Sequence, residues 1–253
     1  MEIRLGFQGS EGPTEQSISV TMRTPGNDFD LAVGFLFTEG VIADPGDVHN
    51  IEHCGPPSPD KGIRNVVKVD LGEHVRFDPG HLLRHFFTSS SCGVCGKASL
   101  DAVRVQIPPG ERGDFAIAAA DLKRLPATLR AAQTEFDRTG GLHASACFDT
   151  EGRIHRVRED VGRHNALDKL IGSFLTEGLD DGPAPLSGFG ILLSGRASFE
   201  LIQKVAMTRA AFVAAVGPPS SLAVELAAEL GITLVGFLKA RTFNAYVEPG
   251  RIV

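Results

Sequence analysis

Gly190-Ile191-Leu192-Leu193, Phe212-Val213-Ala214-Ala215-Val216 and Ile232-Thr233-Leu234-Val235-Gly236-Phe237-Leu238 are three short apolar runs separated by two stretches of helical spacing. Each run is too short for a helix and does not alternate with polar residues, the signature of a strand covered on both faces. Between them, Ser198 to Ala211 and Ser220 to Leu230 carry apolar side chains at the helical period. The order is βαβαβ, whose crossovers place helices on a largely buried parallel ladder. Loops beginning at Ser194, Gly217 and Lys239 should then leave one carboxyl edge, where open α/β sheets bind ligands.

Working upstream, Leu142 to Phe148 reads as a strand that Thr150-Glu151-Gly152-Arg153 turns back into Ile154 to Val157. Asn165 to Thr176 reads as a helix, with Ala166, Leu167, Leu170, Ile171 and Phe174 on its buried face and Gly178 at its end. Asp121 to Phe136 has helical spacing, with Pro126 unsettling its first turns. Gly110 to Asp114 is the clearest boundary signal, dividing the chain into an α+β region over 1–113 and an α/β domain over 114–253.

In the first region Ile18 to Arg23 is strand-like, Thr24 to Asp28 is a turn, and Phe29 to Glu39 is a helix that Asp28 is placed to cap and Gly40 to stop. Ile63 to Val69, with His74 to Phe77 after a turn, reads as a hairpin arm. The Pro56 to Asp60 loop lies beside Cys54.

The chain has 253 residues, 25 basic against 31 acidic side chains and a formal charge of -6, with 42% hydrophobic and 22% charged residues. These proportions suit an ordinary core and exclude collagen-like or wholly disordered classes. A general nucleic-acid binder needs a basic face and is disfavoured. Arg outnumbers Lys, which favours forked contacts to phosphate or carboxylate. Four cysteines, Cys54, Cys92, Cys95 and Cys147, are too few to staple a chain of this length. Met1-Glu2-Ile3-Arg4 does not open a secretory signal, and no run reaches about 18 apolar residues. The expectation is a reducing cytoplasm and no membrane association.

Three constellations carry chemistry. Ser89-Ser90-Ser91-Cys92-Gly93-Val94-Cys95-Gly96-Lys97 brings two sulfurs together across a glycine-flanked turn. It is compatible with half of a zinc site, a disulfide pair, a sulfur carrier, or a turn with two free thiols. Gly140-Gly141-Leu142-His143 and Arg158-Glu159-Asp160-Val161-Gly162-Arg163-His164-Asn165 form the second. Either Asn165 or Asp160 can organise the start of the helix. His164 and Asp168 stand one turn apart, a spacing that suits an imidazole oriented by a carboxylate and equally a satisfied helix-start pair. The third is Ser194-Gly195-Arg196-Ala197-Ser198, a glycine loop feeding a helix, with exposed amides and a guanidinium that welcome an anion. Pro218-Pro219-Ser220-Ser221 and Lys239-Ala240-Arg241-Thr242-Phe243-Asn244 flank it, and together the three loops suit a large phosphate-bearing ligand.

Met22-Arg23-Thr24-Pro25-Gly26, Gly34-Phe35-Leu36-Phe37-Thr38-Glu39-Gly40, Cys92-Gly93-Val94-Cys95-Gly96, Gly141-Leu142-His143, the Glu159 to Lys169 block and Leu193-Ser194-Gly195-Arg196 resemble the formate dehydrogenase accessory protein family, the FdhD sulfurtransferases. The resemblance runs from about residue 18 to the end. It implies transfer of sulfur from a cysteine desulfurase to the molybdenum bis-guanine-dinucleotide cofactor, on behalf of a molybdenum-dependent formate dehydrogenase. On it, Cys92 is the persulfide carrier and Cys95 its assistant, and no metal is held by the protein itself. The cofactor is bound as substrate along Phe237, Leu238, Lys239, Ala240, Arg241 and Thr242, where GDP or GMP would fit. Gly195, Arg196, His143, Arg163 and His164 complete that expected site. A cytidine-deaminase-like three-layer fold is implied for the C-terminal region, without deamination, because the zinc set is lacking. A homodimer is left open. Lys239-Ala240 stands where a glycine-rich turn would be expected.

Overall fold

The computed structural model describes residues 1–9, 12–59, 61–77, 107, 112–177 and 185–253. Cys92 and Cys95 lie outside the described residues, as do Gly110 and Gly178. Two sheets organise the rest. A 4-stranded sheet has the order β2-β1-β4-β3, and a 6-stranded sheet has the order β10-β9-β8-β7-β5-β6.

In the first sheet, β1 (Glu2–Gly9) pairs antiparallel with β2 (Gly12–Val20) and parallel with β4 (Arg64–Leu71), and β3 (Val48–Pro57) closes the far side antiparallel to β4. Ile3, Leu5 and Phe7 of β1 and Val67, Val69 and Leu71 of β4 alternate into one core while their neighbours face outward, the period-2 pattern of a half-buried sheet. Two expectations are corrected here. The strand expected from Ile18 is the end of β2, a strand that starts at Gly12. The hairpin partner of β4 is β3, which carries Cys54 opposite Val66, and not the His74 to Phe77 segment.

α1 (Asp28–Thr38) lies against this sheet's buried face. Its N-cap is Asn27 at φ 55, and Asp28 makes no cap. Asp28 instead takes a bidentate bond from Arg23, 2.9 and 2.8 Å, in a pair almost wholly removed from water. Gly40, at φ 72, ends the helix as expected, with Val41 N donating to Leu36 O at 2.8 Å.

The stretch expected to be one helix from Asp121 is three: α2 (Ala119–Leu122), α3 (Leu125–Ala132) and α4 (Thr134–Thr139). Pro126, which has no N–H to donate, occupies the first turn of α3, where that donor is not needed, so the chain restarts there. α4 is held by Glu159, whose carboxylate accepts from the Glu135 and Phe136 amides, both at 2.9 Å.

The second sheet contains β5 (His143–Phe148), β6 (Ile154–Asp160), β7 (Gly190–Leu193), β8 (Phe212–Ala215), β9 (Thr233–Gly236) and β10 (Asn244–Val247). β7, β8 and β9 are parallel, and β5, β6 and β10 run against their neighbours. α5 (Arg163–Thr176), α6 (Phe199–Met207) and α7 (Ser221–Glu229) supply the crossovers. Every residue of β7, β8 and β9 is buried. Ile191, Leu193, Val213, Ala215 and Leu234 enter the core shared with α1, α5 and α6, whereas Leu192, Phe212, Ala214 and Val235 enter a second core with Phe115, Phe148, Leu125 and Leu129. Two apolar faces explain the unbroken apolar runs.

α1 and α5 join the two halves. They cross glycine to glycine: a Cβ on Gly34 would enter the Asp168 carbonyl, and one on Gly172 would enter the Asp30 carbonyl. Arg158 of β6 reinforces the junction with two bonds to Asp30 at 3.0 Å. Among the described residues no helix is long and apolar enough to cross a membrane.

Candidate functional site

The carboxyl ends of the three parallel strands run into Ser194, Val216 and Phe237, and their loops lie side by side. Gly217 N donates to Gly195 O at 3.0 Å and Phe237 N donates to Gly217 O at 3.1 Å, which carries the ladder beyond the strands. Ala197 N then donates to Pro218 O and Ser220 N to Ala197 O, 3.2 and 3.0 Å. Glycine is required at this approach. A Cβ on Gly217 would stand 2.9 Å from Gly195 O, and one on Gly236 2.7 Å from Pro219 Cδ, both inside any real contact. The floor of the edge is therefore main chain.

Because β5 runs against β7, its first residue reaches the same edge. Ser194 N donates to Ala144 O at 2.9 Å and Ala144 N donates to Ser194 Oγ at 2.8 Å. His143 is thereby seated over Gly195, where a Cβ would lie 3.1 Å from its Nδ1. β6 in turn runs against β5, with Asp160 opposite His143, so the start of α5 comes to this edge as well. Of the expected site residues, His143, Arg163, His164, Gly195 and Arg196 are gathered there, together with the Phe237 to Thr242 loop.

Their environments differ. Arg196, Lys239, Ala240, Arg241 and Thr242 are exposed, and none of the three cations has an ion-pair partner among the described residues. Leu238 is fully buried in the second core, so only its main chain faces the loop. The loop needs no glycine: Lys239 N donates to Thr242 O at 2.9 Å, and the left-handed residue lies upstream, at Phe237 with φ 50. A bulky aromatic in that region is costly, and Phe237 is also 40% exposed.

Arg163 is half-buried, with an Nε that is sealed from solvent and unpaired. Burial and then the Arg163 charge lower the His143 pKa. Burial, with the charges of Lys204 and Arg163, takes His164 down to about 4. Both imidazoles are thus neutral near pH 7, so the positive charge of the edge comes from its arginines and Lys239. His164 Nε2 lies 3.4 Å from Ser198 Oγ.

The His164 and Asp168 pairing suggested by their spacing does not form. Asp168 is buried, takes a bond from Thr38 Oγ1 at 2.9 Å and pairs with Lys204 at 3.1 Å. Lys204 also reaches Glu39 at 3.0 Å. Burial works against a charged Lys204, but Asp168 and Glu39 more than compensate and hold it protonated. Of the two residues proposed to organise the start of α5, both act: Asp160 accepts from Gly162 N at 3.0 Å and from Asn165 Nδ2 at 3.1 Å.

Sequence reasoning missed the interlock beneath this edge. Asp160 also accepts from Thr24 N at 3.0 Å and pairs with Lys169 at 2.7 Å, with side chains 0% and 1% exposed. Lys169 donates to Thr24 O at 2.8 Å, Val161 N to Thr24 Oγ1 at 3.0 Å and Asn165 Nδ2 to Met22 O at 2.8 Å. The interlock's one trace in the sequence is Lys169, a cation among the buried apolar residues of α5, whereas the Thr24 partners are main-chain atoms. Among the described residues no group of three or more His, Cys, Asp or Glu could hold a metal. Cys147 is buried, and burial raises its thiol pKa to about 11, which leaves it inert.

As arranged, the edge sets forked cations and neutral imidazoles over a main-chain floor. Comparison with known proteins bears out the family resemblance of the sequence motifs. Residues 13–253 match the FdhD/NarQ family. The chain is 50% identical over 238 residues to the sulfur carrier protein FdhD of Streptomyces coelicolor, covering 93% of this chain and 83% of that one. It is 48% identical over 254 residues to the sulfur carrier protein FdhD of Mycolicibacterium paratuberculosis, covering 100% and 89%. A crystal structure from Desulfotalea psychrophila, provisionally described as a formate dehydrogenase accessory protein, superposes with a TM-score of 0.71 over 100% of this chain and 99% of that one, at 21% identity, and so shares the fold. A mixed α/β chain with this sheet order, matched over nearly its whole length, belongs to the FdhD/NarQ family.

Proposed function

We propose that the chain is a sulfurtransferase that accepts sulfane sulfur from a cysteine desulfurase on Cys92 and passes it to the molybdenum bis-guanine-dinucleotide cofactor, bound as substrate, for a molybdenum-dependent formate dehydrogenase. The match of residues 13–253 to the family, together with relatives named as sulfur carriers, carries this reading. The cytoplasm is the proposed compartment, since thiols stay reduced there. The cytidine-deaminase-like description of residues 114–253 belongs to the same proposal, supported by a mixed sheet with helices on both faces.

In loading, the Cys92 thiolate attacks the terminal sulfur of the donor persulfide. A new S–S bond forms, the donor S–S bond breaks, and the donor cysteine leaves as thiolate with the electron pair. Delivery at the sulfide level needs two electrons. Attack of the Cys95 thiolate on Cys92 Sγ supplies them: the Cys92–Cys95 bond forms, the bond from Sγ to the outer sulfur breaks, and that sulfur leaves with the electron pair as sulfide to the bound cofactor, after which two equivalents of external thiol reduce the disulfide. At the sheet edge, amides at Gly195 and the guanidinium groups of Arg196 and Arg241 would hold nucleotide phosphates, while Phe237 shields a base.

Intact-mass measurement after treatment with a desulfurase and cysteine should show one added sulfur on wild type and none on Cys92→Ala. Full labelling of that variant, with normal dehydrogenase activation, overturns the assignment. Calorimetry with GDP should show Arg196→Ala and Arg241→Ala each weaker by about 1.5–3 kcal/mol. Arg112 is an unsuitable control because it donates to Leu230 O and Ala210 O. The exposed Arg138 serves instead, and equal affinities across all four proteins would reject the placement.

A further inference from the structure

Four donors converge on the Asp160 carboxylate: Thr24 N, Gly162 N, Asn165 Nδ2 and Lys169 Nζ. Lys169 divides its own donors among Asp160, Thr24 O and Glu159 O, the last at 3.4 Å. Apart from the pair itself, every partner belongs either to the Met22 to Thr24 segment or to the stretch from Glu159 to Asn165, the end of β6 and the first turn of α5. A buried ion pair contributes little net stability compared with an apolar pair of equal volume. An apolar pair, however, would satisfy neither the Thr24 amide nor the Gly162 amide. Arg163 and His164 follow directly from Gly162, and they face the crevice edge. The second buried charge network, Lys204 with Asp168, Thr38 and Glu39, lies elsewhere, between α1, α5 and α6.

We propose that Asp160 and Lys169 are positioning residues: they lock the N-terminal Met22 to Thr24 segment to the first turn of α5 and so set Arg163 and His164 against the phosphate-bearing ligand. This rests on the reading of the edge as a phosphate site. Neither residue touches the ligand, and both act through the main chain that they hold.

The experiment compares wild type, Asp160→Asn, Lys169→Met, the double variant, Thr24→Ala and Phe148→Ala at a temperature where circular dichroism shows each folded. Phe148 lies at the far end of β5 from His143 and serves as the stability control. Asp160→Asn and Lys169→Met should each weaken GDP about tenfold in calorimetry and speed amide exchange in residues 21–25 and 161–165 together. The double variant, which leaves no unpaired charge, should recover stability without recovering affinity. Phe148→Ala should lose stability with unchanged affinity and unchanged exchange in those two segments. Thr24→Ala removes only the bond to Val161 N, keeps both charges, and should show the same coupled exchange to a smaller degree, which carries the test if the charge variants do not fold. Affinity that merely follows stability across the set, or exchange that quickens in one segment alone, overturns the proposal. If wild type itself does not bind GDP, the phosphate-site reading fails, and the lock stands or falls on the coupled exchange.

Discussion

The two sheets solve the same burial problem differently. β7, β8 and β9 are covered on both faces and are apolar at every position but Thr233. β1 and β4 bury one face and give the other to Arg4, Lys68 and Asp70, which pair among themselves and with Glu2 and Glu15. The three parallel strands of the 6-stranded sheet form an interior wall. The 4-stranded sheet is an outer wall that depends on α1 for its lining.

The dependence of the outer wall on α1 can be broken directly. Gly34→Val, or Gly172→Val, drives a side chain into a backbone carbonyl of the partner helix, and neither carbonyl can move without moving its helix. The expected loss exceeds about 3 kcal/mol, and urea unfolding would measure it. A loss below about 1 kcal/mol would mean that the halves do not rely on this crossing.

Truncations sharpen the contrast. Phe148 lies between Phe115 and Phe212, with ring centroids 5.7 and 6.0 Å away, and Phe148→Ala should cost about 3–5 kcal/mol. Leu5→Ala in the outer wall should cost about 2–4 kcal/mol, because one apolar face relaxes more readily than two. The same unfolding curves bear on the proposed division at residue 113. Two transitions, each shifted by one variant only, would establish separate domains, and one transition shifted by both would make the shared core a single cooperative unit.

A smaller effect concerns pH. The lowered pKa of His164 means that the unfolded chain binds a proton there more readily than the folded one. This contribution is neutral above the ordinary value of 6.5 and becomes destabilising as pH falls from there toward about 4. His164→Gln should flatten the stability profile in that window, and an unchanged slope would place the acid sensitivity elsewhere. Smallest of all, Arg138→Ala on exposed α4, whose salt bridge to Glu135 is open to solvent, should shift stability by less than about 0.5 kcal/mol.

How much was legible follows from the same contrast. The runs Gly190 to Leu193, Phe212 to Val216 and Ile232 to Leu238 show themselves because both sides of each strand need apolar residues. β1 did not, since Arg4, Gly6 and Gln8 dilute Ile3, Leu5 and Phe7 to a pattern also found in loops. Asp28 looked like a cap because its bidentate partner Arg23 sits across a turn that spacing cannot resolve. His164 and Asp168 looked like a pair because Thr38 and Lys204, which claim Asp168, are remote in sequence. The convergence of three loops on one edge was readable from topology. The lock under it was not, since it depends on main-chain atoms of Thr24, and main-chain bonding leaves no residue type to read. The Cys92 and Cys95 assignment rests on resemblance.

The glycine floor constrains how such a site can change over generations. Gly217 and Gly236 admit no side chain without displacing a neighbouring loop, so variation at the floor is lethal to its shape before it can alter selectivity. Arg196, Lys239, Arg241 and Thr242 stand free on the rim and can be exchanged one at a time with little penalty to folding. A lineage that changes the surface chemistry of this edge would therefore keep the floor and rewrite the rim, and libraries built to vary it should be randomised there.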